Sequence, residues 1–193
     1  MGGGQKKVKR RHAWLVFIDE SGVLSEPLVR RTWGLRGRTP VLAHRCRHRK
    51  NLSVIGALAQ SPGRRRCRLL LRWHAGKSVR TPEVCSFLRA LLRELRGQII
   101  VAWDGLLAHR SARVRDLAAG SGRMELVRLP AYAPEYNPAE GVWGNVKWHR
   151  LANHGLTEVP AIHARAKAEG RKVANDQRLL KSFIRATPLP LRL

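Results

Sequence analysis

Two acidic residues in this sequence stand where chemistry is often built. Asp19 follows the apolar run Leu15-Val16-Phe17-Ile18, and Asp104 follows Ile99-Ile100-Val101-Ala102-Trp103. Each run has the length and composition of a buried strand. Each acid is therefore read at a strand's carboxyl end, where open α/β sheets place their ligands. If the two strands are neighbours, the acids face one another at close range. Close carboxylates repel, and a shared proton or a bound cation relieves the repulsion. With oxygen ligands alone, the fitting cations are Mg²⁺ and Mn²⁺. Either acid taken singly fits an ordinary strand end facing water. The pair, in a chain with only 13 acidic residues, favours a function.

Glu140 is the third candidate, in Asn137-Pro138-Ala139-Glu140 just ahead of Trp143. With Asn137 as N-cap, Pro138 at the first helical position and Glu140 two residues later, the same run also fits a capping box. Spacing alone does not separate a capping Glu from a ligand. Glu20 adjoins Asp19, but alternation along a strand turns it to the opposite face, and it stays outside the set.

The elements that must hold these residues are legible in outline. Residues 1–12 read as a disordered basic arm of glycines and cations. Ala13–Ile18 reads as a strand stopping at the turn Asp19-Glu20-Ser21-Gly22. Val29–Trp33 and Thr39–Ala43 flank Gly34-Leu35-Arg36-Gly37 as an expected basic hairpin. Leu52–Ala59 and Arg68–Trp73 are further strands, joined by a turn at Ser61-Pro62-Gly63. Thr81 as N-cap and Pro82 open a helix whose stripe is Val84, Phe87, Leu88, Leu91, Leu92 and Leu95. After Gln98–Trp103, a helix is expected over Arg110–Ala119 and a strand over Glu125–Leu129. A helix from Ala139 to about Ala152 and one or two basic helices complete the pattern. Strands first, then alternating helix and strand, predict a mixed sheet with helices packed on it. The expected division is an arm over 1–12, one catalytic domain over 13–185 and a short tail over 186–193.

Charge narrows the partner. The 193 residues carry 38 Lys+Arg, 29 of them Arg, against 13 Asp+Glu, a net charge of +25. That surplus excludes an ordinary metabolic enzyme and points to a polyanion, nucleic acid before membrane. Three cysteines without a CxxC pair argue against a disulfide framework and for a reducing, cytoplasmic setting. No apolar run reaches the length of a signal peptide core or a membrane span.

Arg30, Arg31, Arg36 and Arg38 around Trp33 are candidate phosphate contacts, weighed against a solvated Arg-rich hairpin. Lys147, two helical turns past Glu140, is a further candidate on the same face. His44, Cys46 and His48 alternate as a soft-metal site would, but lack a fourth ligand and are interleaved with Arg45 and Arg47, so chance is preferred. His109 is read either as an orienting group for DNA or a metal-bound water, or as a helix cap or surface residue. Trp143 and Trp148 are read as packing.

One ordered set of pieces resembles a known family. Phe17-Ile18-Asp19-Glu20-Ser21-Gly22, Arg30-Arg31-Thr32-Trp33, Trp103-Asp104-Gly105 and Leu129-Pro130-Ala131-Tyr132-Ala133-Pro134-Glu135-Tyr136-Asn137-Pro138-Ala139-Glu140-Gly141-Val142-Trp143 together resemble the DDE transposases of bacterial insertion sequences, in their mariner-like branch. The separations suit that scheme, with 85 positions from Asp19 to Asp104 (104 − 19) and 36 from Asp104 to Glu140 (140 − 104). Asp104-Gly105 departs from the Asp-Asn common in the family.

The resemblance spans roughly residues 14–150. It implies an RNase H-like α/β fold, a five-stranded mixed sheet flanked by helices, and a catalytic triad of Asp19, Asp104 and Glu140 holding two Mg²⁺ ions, with Mn²⁺ able to substitute. The implied activity is metal-dependent phosphodiester hydrolysis and strand transfer on double-stranded DNA, in a possible homodimer. The implied location is the cytoplasm, at a bacterial nucleoid. Full-length members carry helix-turn-helix domains ahead of the catalytic domain, so a separate N-terminal helix-turn-helix polypeptide is a further expected partner. Two alternatives stand beside this reading: a catalytically silent, nucleic-acid-binding transposase remnant, or another RNase H-like nuclease.

Overall fold

The apolar runs become the strands of one sheet. The computed structural model describes residues 12–24, 28–42, 51–106, 109, 111–156 and 158–189. Its strands are β1 (Trp14–Leu24), β2 (Asn51–Gln60), β3 (Cys67–Ala75), β4 (Ile99–Trp103) and β5 (Met124–Arg128). They lie in the order β3-β2-β1-β4-β5. β1, β2 and β3 form an antiparallel meander, and β4 and β5 add parallel to the β1 edge. β4 is buried along its whole length, as a parallel strand covered on both faces must be.

Each parallel step needs a crossover, and helices supply them. Helix α1 (Thr81–Glu94) leads into β4, and α2 (Ala112–Gly120) leads from β4 into β5. Val84, Phe87, Leu88 and Leu91 of α1 are buried against Val16, Ile18, Ile55, Ala57, Ile99 and Val101. Each large apolar side chain so buried contributes about 1.5–3 kcal/mol. The helix begins one residue earlier than Thr81 as a cap would require. Arg80 is the N-cap, and its N–H donates to the Glu83 carboxylate at 3.1 Å.

The opposite face is covered by the C-terminal third of the chain. It holds α3 (Ala139–Gly144), a π-helical stretch Asn145–Arg150, α4 (Val159–Asn175) and α5 (Gln177–Arg185). Val142, Trp143, Val146, Ile162, Ala166, Val173, Leu180 and Ile184 pack there on Leu52, Val54 and Leu58. The fold is thus the α/β, five-stranded mixed sheet flanked by helices that the sequence reading implied.

Three local expectations give way. β1 does not stop at Asp19 but runs through Glu20-Ser21-Gly22 to Leu24, because β2 stays paired with it from Leu15 to Leu24. The segment around Gly34–Gly37 makes a turn, with Arg38 N–H donating to Leu35 O at 2.9 Å, but among the described residues no strands flank it. Its anchor is instead a parallel bridge between Leu28 and Ala152. The helix expected from Ala139 to Ala152 changes character at Asn145, where Leu151 N–H reaches back five residues to Val146 O at 3.0 Å. In this wide turn Arg150 meets both Asn145 Oδ1 (2.8 Å) and Glu169 Oε2 (3.3 Å).

At the C-terminal end Thr187 is buried, and Leu189 packs on a small cluster around Phe17, Ile100 and Leu129. The basic arm up to Arg11, and His44, Cys46 and His48, lie outside the described residues. Among the described residues no helix is long and apolar enough to cross a membrane.

Candidate functional site

The register of two parallel strands brings the first two acids together. Trp14 pairs with Ile99 and Phe17 with Ala102, an offset of 85 positions (99 − 14). The same offset separates Asp19 from Asp104, so the two acids emerge in register where this pairing ends. β1 continues past that point against β2 alone, which leaves its β4 side open to a ligand.

Asp19 is supported from the α3 face. Trp143 donates its indole Nε1–H to Asp19 Oδ2 at 2.9 Å, and the backbone N–H of Glu20 donates to Oδ1 at 2.9 Å. The indole reaches this position because Gly56, the β2 residue paired with Asp19, has no side chain. A Cβ on Gly56 would lie 2.6 Å from the Trp143 ring and 2.9 Å from Leu71. Burial pushes the Asp19 carboxyl up to about 7, the negative charge of Glu140 adds to that, and the Trp143 hydrogen bond partly offsets it.

Glu140 reaches the site through Asn137. The Asn137 side chain is buried; its Nδ2 donates to Ile18 O at 3.2 Å, and its Oδ1 accepts from Ala139 N–H at 3.2 Å. One residue thus ties the start of α3 to the strand position just before Asp19. The Asn137 N–H that a capping Glu140 would bind is already donated to Pro134 O at 2.8 Å. Glu140 is exposed and faces the cleft.

Asp104 is supported from the other face. Its Oδ1 lies 2.8 Å from His109 Nδ1 and accepts from Leu106 N–H at 3.1 Å. His109 Nε2 lies 2.8 Å from Glu20 Oε1, and the ring stacks on Trp103 with centroids 4.2 Å apart and planes 2° apart. Burial opposes a charge on His109, but hydrogen bonds to Asp104 and Glu20 outweigh it and push the imidazole up to about 9. His109 is therefore neither a surface residue nor an external helix cap. The cap of α2 is Ser111.

These acids open on a cleft of about 510 Å³. Asp19, Asp104 and Glu140 line it, with Arg128 at the end of β5 and the Pro130–Pro134 loop. Lys147 is half-buried near Glu140 and Asp19: burial lowers its ammonium's pKa, and the two carboxylates oppose that. Arg31, Arg36 and Arg38 are exposed. The Arg30 guanidinium is held by Trp148 O (2.9 Å) and His149 Nδ1 (3.2 Å), and Asn153 brackets the Arg30 backbone with two further hydrogen bonds.

Three carboxylates converging on one cleft are an all-oxygen donor set, which suits a hard divalent cation. A cation there also counters what raises Asp19, namely desolvation and the charge of Glu140. Glu20, Asp104 and His109 bring ligand atoms within 4.8 Å of one another as well. Both nitrogens of that imidazole are engaged with carboxylates, an arrangement that suits a hydrogen-bonded chain better than a metal cage.

Sequence reasoning missed four participants: the Trp143 indole, the cradle at Gly56, the burial of His109 and the cleft-lining Arg128. Only Arg128 left a signal, as a cation closing a strand immediately before the Leu129-Pro130 loop.

The chain's fold has close counterparts among solved structures. The Mos1 transposase paired-end complex with left transposon end matches with a TM-score of 0.67 and 18% identity, over 96% of this chain and 55% of that one. A pre-cleavage Mos1 transpososome gives 0.68 and 17%, over 95% and 55%. The catalytic domain of Mos1 mariner transposase gives 0.59 and 15%, over 94% and 78%. The chain spans about half the length of the Mos1 chains in those two complexes. No curated protein sequence matches it significantly. The family profile described as DDE superfamily endonuclease matches residues 14–162, a stretch that takes in all three acids of the cleft. On that match, which covers most of its length, the chain belongs to the DDE superfamily endonuclease family.

Proposed function

We propose that this chain is the catalytic part of a DNA transposase, hydrolysing phosphodiester bonds of double-stranded DNA and joining strands through Asp19, Asp104 and Glu140. The observation that carries the reading is the convergence of those three acids, from β1, the end of β4 and the start of α3, on one cleft. Support comes from the family match and from fold counterparts described as Mos1 paired-end complexes with Mn and with Mg.

The three carboxylates would hold two divalent ions, Mg²⁺ with Mn²⁺ as a substitute. Such ions, when bound, stabilise charge on the attacking and leaving oxygens of a phosphoryl displacement. The protein's own part is positional. Trp143 and the Glu20 N–H fix both oxygens of Asp19, Asn137 fixes the helix that carries Glu140, and His109 fixes Asp104. Arg128 and Lys147 put positive charge beside the cleft for a polyanionic substrate. Arg31, Arg36 and Arg38 extend that charge as sequence-indifferent phosphate contacts, while Arg30 ties their segment to the π-helical stretch. Water is the nucleophile for cleavage, and a DNA 3′-hydroxyl for joining. A second copy of the chain is the proposed partner, because two element ends need two such clefts. A helix-turn-helix part, in this or a separate polypeptide, would supply end specificity. The site of action is the cell's DNA, which in a bacterium is the nucleoid.

The test is nicking of supercoiled plasmid with Mn²⁺, Mg²⁺ or EDTA. Nicking that needs the metal and falls to background in Asp19→Asn, Asp104→Asn and Glu140→Gln is expected. Metal-dependent nicking that persists in all three variants sinks the assignment.

A further inference from the structure

Behind Asp104, on the side away from the cleft, lies a buried polar chain. The His109 side chain is 1% exposed. Its ring plane is set by the parallel stack on Trp103, and its rotation within that plane by carboxylates 2.8 Å from each nitrogen. Neither His109 nor Glu20 lines the cleft, whereas Asp104 does. Glu20 is an expensive residue in this place. Its Oε1 is spent on His109, while its Oε2 is buried and has no hydrogen-bond partner among the described residues. An acid with one oxygen buried and unpartnered costs stability, and the group it holds is the one that holds Asp104.

We propose that Glu20 and His109 are positioning residues for Asp104. Glu20 accepts from Nε2–H and fixes the imidazole, and the imidazole binds Asp104 Oδ1 from behind, so that the carboxylate is presented to a divalent cation in one orientation. The inference rests on the reading of Asp104 as a metal ligand. Hydrogen-bond partners behind a ligating group orient it, and removing one typically lowers metal affinity about 10- to 100-fold.

Mn²⁺ binding to the DNA-free 193-residue chain, followed by electron paramagnetic resonance of the free ion, tests this without activity. Thermal midpoints in EDTA run alongside. Asp19→Asn and Asp104→Asn are the references and are expected to lose binding. His109→Gln is expected to weaken Mn²⁺ binding about 10- to 100-fold. His109→Asn, whose amide nitrogen can stand near the place of Nδ1, is expected to recover most of that loss. Glu20→Gln, of unchanged shape, falls between them. A purely structural histidine would lower the midpoint in both His109 variants with no rescue of affinity by Asn.

Wild-type affinity in His109→Gln and Glu20→Gln, with binding lost in the two references, overturns the positioning role and leaves the metal site standing. Wild-type affinity in the references instead removes the metal-site reading itself. Binding lost in Glu20→Gln and His109→Gln but kept in Asp19→Asn would make Glu20, His109 and Asp104 direct ligands, and also overturns the proposal. If His109→Gln does not fold, Glu20→Gln decides on the same criterion.

Discussion

Asp19 and Asp104 stand in register on neighbouring strands, yet they are supported from opposite faces of the sheet and by opposite chemistry. Asp19 takes a neutral indole donor from the α3 side, lies mostly out of water and has its carboxyl raised to about 7. Asp104 is partly exposed and rests on an imidazole raised to about 9, with the partly buried Glu20 carboxylate behind it. A neutral donor orients a carboxylate without neutralising it. A charged donor orients it and supplies a counter-charge in low dielectric, where such pairs are stronger. One cleft therefore has one wall set by packing and another set by ion pairing, and the two should fail differently.

The packing wall is broken most severely at Gly56. Gly56→Ala puts a methyl 2.6 Å from the Trp143 ring and 2.9 Å from Leu71. Neither neighbour is the free end of an exposed chain, so the expected cost is about 1–3 kcal/mol from overpacking, read as a lowered urea midpoint. Plasmid nicking should fall by more than that stability loss explains, because the indole is displaced from Asp19. Wild-type nicking in a folded Gly56→Ala protein would show that the wall does not depend on close packing.

A smaller effect is expected from Trp143→Phe, which keeps most of the ring's packing and removes only the indole donor. Loss of that hydrogen bond should cost roughly 0.5–1.5 kcal/mol of stability. It also removes a contact that lowers the Asp19 carboxyl, so the pH at which nicking sets in should move up. An unchanged pH profile would mean that the indole contact does not reach the chemistry.

The gentlest probe leaves the sequence intact. In the metal-free protein Asp19 rises from 3.8 to about 7 and His109 from 6.5 to about 9. Both groups bind protons more tightly in the folded state, so both lose stabilisation as pH rises: Asp19 mainly below pH 7, His109 between about 6.5 and 9. Urea midpoints in EDTA should therefore fall from pH 5 to pH 9. His109→Asn should flatten the upper part of that slope and leave the lower part, which belongs to the packing wall. A midpoint that rises over this range would contradict both shifts.

Much of the scaffold was readable because its strands are nearly unbroken apolar runs. The α1 stripe from Val84 to Leu91 has the helical period that its buried face demands. Boundaries were less readable. Thr81 looked like the better cap by residue type, but the chain takes its bend at Arg80, where Glu83 satisfies the free N–H. The turn read after Ile18 vanished because pairing with β2 overrides the local preference of Glu20-Ser21-Gly22. Within the site, Glu140 could be a cap or a ligand on spacing alone. One hydrogen bond, Asn137 N–H to Pro134 O, removes the capping partner, and the ligand role is the one proposed above.

By itself the sequence determined the strands, the helix that joins β3 to β4 and the placing of Asp19 and Asp104 just past apolar runs, because these depend on period and composition over a few residues. The separation of 85 positions was visible too. Its meaning was not, because only the sheet register turns a separation into a meeting point. The tertiary structure alone decided that Trp143, 124 positions from Asp19, lies across Gly56 to reach it. It alone decided that Glu20, turned away from the cleft, joins His109 behind Asp104. Contacts between residues so far apart leave no local period or propensity to read, since they arise only when separate elements pack face to face.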